Sequence, residues 1–151
     1  MRREVMTATI AVLLATGAMA ATEASANARR LEGRPRVARC ADRHPWTHVT
    51  QRQELVWCIA HLFDSPGSPR TAIAVARCES GEDFQDVYGG DGHVGTYQHV
   101  TSSWYGRWAT WGRGIGVKES PTNVLSQAVV SVRMARALGT WNSSAGWAGC
   151  A

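Results

Sequence analysis

Ser68-Pro69-Arg70-Thr71-Ala72-Ile73-Ala74-Val75-Ala76-Arg77-Cys78-Glu79-Ser80-Gly81 is the stretch on which the reading of this chain turns. Serine is a good N-cap, proline suits the first helical position and glycine suits the residue just past a helix end. The stretch therefore predicts a helix of about three turns that starts at Pro69 and is stopped by Gly81. Glu79 follows Ala76, Val75 and Ala72 by three, four and seven residues, so its carboxyl continues the apolar stripe that a helix turns toward its core. The side chain should point inward or into a cleft. Desolvation there disfavours the charged form, and a shift of one or two pKa units corresponds to about 1.4 to 2.7 kcal/mol. That is how a carboxylic acid becomes a proton donor near neutral pH. The plainer alternative is a solvated glutamate near a helix end.

Outward from this helix the chain reads as mainly helical. Thr50 to Gln53 has capping-box spacing, and Leu55, Cys58, Ile59 and Leu62 make the apolar face of an earlier helix. Glu82 to Thr96 is rich in Gly and Asp and predicts a loop or small hairpin, after which Thr101 is read as capping a short tryptophan-rich helix. Ser120-Pro121 is read as the start of a longer helix, with Leu125, Val129 and Val132 inward and Gly139 as its stop. There is no repeat and no second domain.

Glu82, Asp83, Asp86 and Asp91 follow Glu79 closely, with Arg77 the only base nearby in sequence. Neighbouring negative charge would raise the pKa of Glu79 further. Asp86 or Asp91 is also a candidate second carboxylate, able to act as nucleophile or as base for water in a two-carboxylate glycosidase. As a calcium loop the segment lacks EF-hand spacing. No two cysteines stand at Cys-x-x-Cys spacing and no histidine pair matches a common metal motif, so no metal site and no cofactor is expected.

Cys78-Glu79-Ser80-Gly81, the spacing to Gly90-Asp91-Gly92, then Gly95-Thr96-Tyr97-Gln98-His99 and Trp104, and the ending Trp147-Ala148-Gly149-Cys150 form an ordered set. The set resembles the transglycosylase-like domains of secreted actinobacterial wall enzymes, of which resuscitation-promoting factors are the best-known branch. The wider resemblance is to soluble lytic transglycosylases, and it spans roughly Val56 to Cys150. It implies a lysozyme-like fold with Glu79 as the catalytic acid and with Gly95 and Gln98 lining the cleft. It also implies a disulfide between Cys78 and Cys150, which leaves Cys40 with Cys58. Two departures stand out: Glu82 where the resuscitation factors usually carry a second glycine, and Thr96-Tyr97 where they carry Gly-Leu. The helix containing Trp57 and Cys58 also lies upstream of their minimal domain.

By the same resemblance the substrate is peptidoglycan and the bond is that between N-acetylmuramic acid and N-acetylglucosamine. Glu79 would serve as acid and then as base, giving an anhydro product. A hydrolytic muramidase would instead need Asp86 or Asp91 to activate water. A wall-binding module that keeps the fold without turnover is the reading from another class. Gln98, inside the Gly-x-x-Gln motif, is expected to bond an N-acetyl group or to steady Glu79, with satisfaction of loop backbone as the alternative. Tyr97, His99, Tyr88 and Trp104 complete the expected substrate contacts. Trp104, Trp108 and Trp111 lie on one helical stripe, and since such stripes more often build a core, Trp104 carries both readings.

Residues 1–26 read as a secretory signal: Arg2 and Arg3 open it, Ile10 to Leu14 centre an apolar run, and Ala18-Met19-Ala20 or Ala24-Ser25-Ala26 offers a cleavage site. No run is of membrane length, so a secreted, wall-associated monomer without a stable membrane anchor is expected. Roughly 125 residues remain, enough for one domain over residues 44–151. Four cysteines in an exported chain read as two disulfides, with three pairings open to the residues alone. The formal charge of +4 is concentrated in residues 27–43, where six arginines face Glu32 and Asp42. Gly33, Pro35 and the weak hydrophobic periodicity read as a flexible arm up to Cys40. Such an arm could hold the protein against anionic wall polymers or simply be a solvated leader. Nucleic acid is discounted, because the arm has no interleaved aromatics.

Overall fold

The computed structural model describes residues 34–85, 88–142 and 146–151. The expected secretory signal, the start of the basic arm and Asp86 lie outside the described residues. The fold is mainly helical. Helix α1 occupies residues 34–43, α2 spans Val49–Leu62, α3 spans Pro69–Ser80, α4 spans Thr101–Arg107 and α5 spans Val124–Leu138. Between α3 and α4 lies a two-stranded antiparallel hairpin, β1 (His93–Val94) and β2 (His99–Val100), in the register His93 to Val100 and Val94 to His99.

α3 begins and ends as its sequence dictates. Ser68 caps it by accepting from the Thr71 N–H, Pro69 occupies the first position, and Gly81 follows its end with φ +77°. Ala72, Val75 and Ala76 are buried against α2 and α5 in one core that also holds Leu55, Ile59, Val129 and Val132. The two disulfides join Cys40 to Cys58 and Cys78 to Cys150, with Cα separations of 5.8 and 5.6 Å. The first ties α1 to α2, and the second ties the last turn of α3 to the end of the chain.

Three starts and one segment differ from expectation. α2 opens at Val49, because the Gln51 side chain reaches back to the His48 N–H. α4 has Val100 at its N-cap position, the Thr101 hydroxyl being engaged instead by the Gly92 carbonyl at 2.8 Å. α5 opens at Val124 because Asn123, not Ser120, accepts from the Ser126 N–H. The flexible arm expected up to Cys40 is corrected most: residues 34–43 are helical, with Val37 and Cys40 buried in the core. Two apolar residues three apart give a short helix one face to bury, and the disulfide to α2 fixes it there.

Candidate active site

Glu79 occupies the last turn of α3, half-buried, next in sequence to the disulfide that binds Cys78 to Cys150. Burial raises its pKa above the ordinary carboxylate value, and His93 on β1 opposes this as a nearby positive influence. Among the described residues, the acids expected to push the pKa further do not contribute. Glu82 is paired with Arg77 at 3.0 Å, and Asp91 is exposed on the turn Gly90–Gly92 with φ +60°. Ser80, the other half of the Glu-Ser pair, turns inward and donates to the Ala76 carbonyl at 2.8 Å.

The Gly-x-x-Gln motif is the turn of the hairpin. The Gln98 N–H donates to the Gly95 carbonyl at 3.0 Å, and the Gln98 side-chain amide donates to the same carbonyl at 2.8 Å. The Gln98 side chain thus satisfies loop backbone with one of its amide hydrogens. Gly95 has φ +79°, and a Cβ there would lie 2.5 Å from Gln127 Nε2 and 2.6 Å from the Pro121 carbonyl oxygen. Only glycine fits this conformation and this space. Gly89 lies against the same turn in an ordinary conformation, φ −68°, where a Cβ would displace the end of the Gln98 side chain.

The turn is held from below by Gln127. Its Oε1 accepts from the Tyr97 N–H at 2.9 Å, and its Nε2 donates to the carbonyls of Val94 and Pro121 at 3.0 and 2.5 Å. Sequence reasoning passed over this residue. The signal was there: Val124 to Val132 is buried at every position, and a polar side chain in such a helix must find partners.

Three expected substrate contacts are corrected. Tyr97 is fully buried, stacked on Trp141 with centroids 5.5 Å apart, and its hydroxyl donates to the Ala72 carbonyl at 3.0 Å. Trp104 is fully buried against Trp108 and Val130. His99 is fully buried between Ser131 and Arg107. None of these rings offers a face to a glycan, because each is needed to fill or satisfy the interior behind the hairpin. Tyr88, by contrast, is 79% exposed on the loop that precedes the hairpin.

The pairing of His99 with Ser131 has the appearance of a nucleophile and its base, and its wiring excludes that role. Burial holds the His99 pKa down to about 3, with Arg107 adding to the effect, so the ring is neutral. Arginine can only donate, so Nδ1 accepts from Arg107 and the ring proton resides on Nε2, which donates to Ser131 Oγ at 2.7 Å. An imidazole that donates to a serine cannot remove its proton. Among the described residues no group of three or more His, Cys, Asp or Glu is placed to hold a metal ion.

Compared with family models, curated proteins and solved structures, the chain matches none. The site has a chemistry of its own: one carboxyl biased toward its protonated form, at the edge of a hairpin locked from beneath, on a helix tied covalently to the end of the chain.

Proposed function

We propose that this chain is a secreted, lysozyme-like enzyme that cleaves the glycan strands of peptidoglycan, acting as a lytic transglycosylase. The observation that carries the reading is Glu79: a half-buried carboxyl whose pKa is raised by burial, at the head of an ordered set of motifs. As general acid, Glu79 protonates the oxygen between N-acetylmuramic acid and N-acetylglucosamine while an oxocarbenium-like state develops at the muramyl anomeric carbon. The resulting carboxylate takes the proton of the muramyl C6 hydroxyl, whose oxygen closes on that carbon. The strand is cut without consuming water, and Glu79 returns to its protonated state. His93 favours the carboxylate, the form needed in the second half of the cycle. Two disulfides support placement in an oxidising compartment. Among the described residues no helix is long and apolar enough to cross a membrane.

The test is mass spectrometry of the soluble products after incubating the oxidised protein, and its Glu79→Gln variant, with purified peptidoglycan. Anhydromuropeptides from the native protein alone are expected. Fragments heavier by one water would make it a hydrolase and turn attention to Asp86 and Asp91. Binding without release would leave a wall-binding module.

A further inference from the structure

The refolding of the basic arm into α1 sorts its charges onto two sides. Arg34 and Asp42, with Val37, Ala38 and Ala41, line a groove shared with residues 115–125. Arg36, Arg39 and Arg43 stand at i, i+3 and i+7, which is one stripe of a helix. These three line a separate concavity of about 290 Å³ together with His61, from the last turn of α2, and with Leu62. Cys40 and Cys58 form its floor, so the disulfide that joins α1 to α2 also fixes the distance between the arginine stripe and His61.

No carboxylate lines this concavity. Among the described residues the ion pairs are His44 with Glu54, Arg77 with Glu82 and Arg136 with Asp64, so none of the three arginines is ion-paired among the described residues. Three like charges gathered on a covalently braced surface repel one another, and an anion that bridges them removes that repulsion. Planar guanidinium forks match the oxygens of a phosphate group two at a time, and a stripe of them matches a repeating anion better than a single one.

We propose that Arg36, Arg39, Arg43 and His61 form a binding site for the phosphodiester backbone of an anionic cell-wall polymer, separate from the catalytic residue. The anion chemistry stands on the site itself, whereas its assignment to the wall rests on the function proposed above. The site holds the protein to its substrate layer, and the hairpin with Glu79 works on the adjacent glycan.

The experiment measures binding of the oxidised full chain to a purified glycerol-phosphate wall polymer, and separately to peptidoglycan stripped of that polymer. The variants are R36A/R39A/R43A and, as a control of exposed charge on another helix, R70A. Circular dichroism and thiol titration confirm that each variant is folded with its disulfides closed. The triple variant should lose polymer affinity by about tenfold or more, while R70A binds as the native chain does. Native binding should also weaken steeply between about 0.05 and about 0.5 M salt. Product release from stripped peptidoglycan should be the same for native and triple variant, which separates this site from the catalytic reading. If the triple variant keeps native polymer affinity, or R70A loses as much, the site is overturned. Equal native affinity for a single-stranded DNA of the same charge count would overturn the assignment to a wall polymer.

Discussion

The indole N–H of Trp147 donates to the carbonyl of Tyr97 across 2.9 Å, fifty residues away in sequence. The end of the chain thereby closes over the turn of the hairpin, and Cys150, three residues on, is bonded to the last turn of α3. Turn, helix and terminus form one rigid corner, with Gln127 beneath it and Glu79 at its rim.

Gly95→Ala should destabilise the fold severely. A left-handed alanine costs about 1 to 2 kcal/mol, and here its Cβ would also strike the Pro121 carbonyl and the Gln127 amide. Because that amide holds Tyr97 and Val94, the loss should spread to about 3 kcal/mol or more, read as a lowered urea midpoint.

Glu79→Gln should abolish product release by about a hundredfold or more without destabilising the protein. A raised folded pKa means that the native state favours the protonated carboxyl. Stability associated with Glu79 is full below its ordinary value of 4.5 and is lost as pH rises through the folded pKa. Glutamine copies the neutral form, so melting temperatures at pH 8 should be equal or higher in the variant, with the difference vanishing near pH 4.

His99 should make the protein sensitive to acid. Its folded pKa lies near 3 against an ordinary 6.5, so between these values the unfolded chain binds the extra proton. Stability should therefore fall as pH drops through this window, by about 1.4 kcal/mol per pH unit from this group. Urea unfolding of the native protein and of His99→Gln between pH 7 and pH 4 measures the difference in slope. Equal slopes would remove His99 as the cause.

The two disulfides should separate stability from catalysis. Closing segments of 18 and 72 residues is worth about 3 and about 4 kcal/mol in the chain-entropy description. C40S/C58S should lower the urea midpoint and loosen the arginine stripe while product release persists. C78S/C150S should lower the midpoint further and also reduce release, because the turn carrying Glu79 is no longer tied to the chain end.

The parts legible in the sequence were those set by neighbours. Ser68 and Pro69 at one end and Gly81 at the other carry the bounds of α3 in residues that lie at those bounds, and Gly139 ends α5 in the left-handed conformation expected of it. Local signals also compete. Ser120-Pro121 reads as the helix start, yet the cap falls to Asn123, while the Ser126 hydroxyl is drawn to the Lys118 carbonyl. Roles within the site depend on contacts distant in sequence. Tyr97 reads as a ring for a sugar because it sits inside the Gly-x-x-Gln motif, and contacts distant in sequence, with Trp141 and the Ala72 carbonyl, make it a ring of the core. Val37 was hidden among arginines because one buried valine gives no periodic signal.

Placing Glu79 beside Cys78 gives the corner a built-in order of assembly. Until the bond to Cys150 closes, the turn that bears the acid lacks its covalent tie, and packing with hydrogen bonds such as that from Trp147 to Tyr97 is what holds the corner. Under the proposed function, a cell that makes this protein exports it with that brace still open, and the oxidising exterior that holds the glycan also tightens the tool that cuts it.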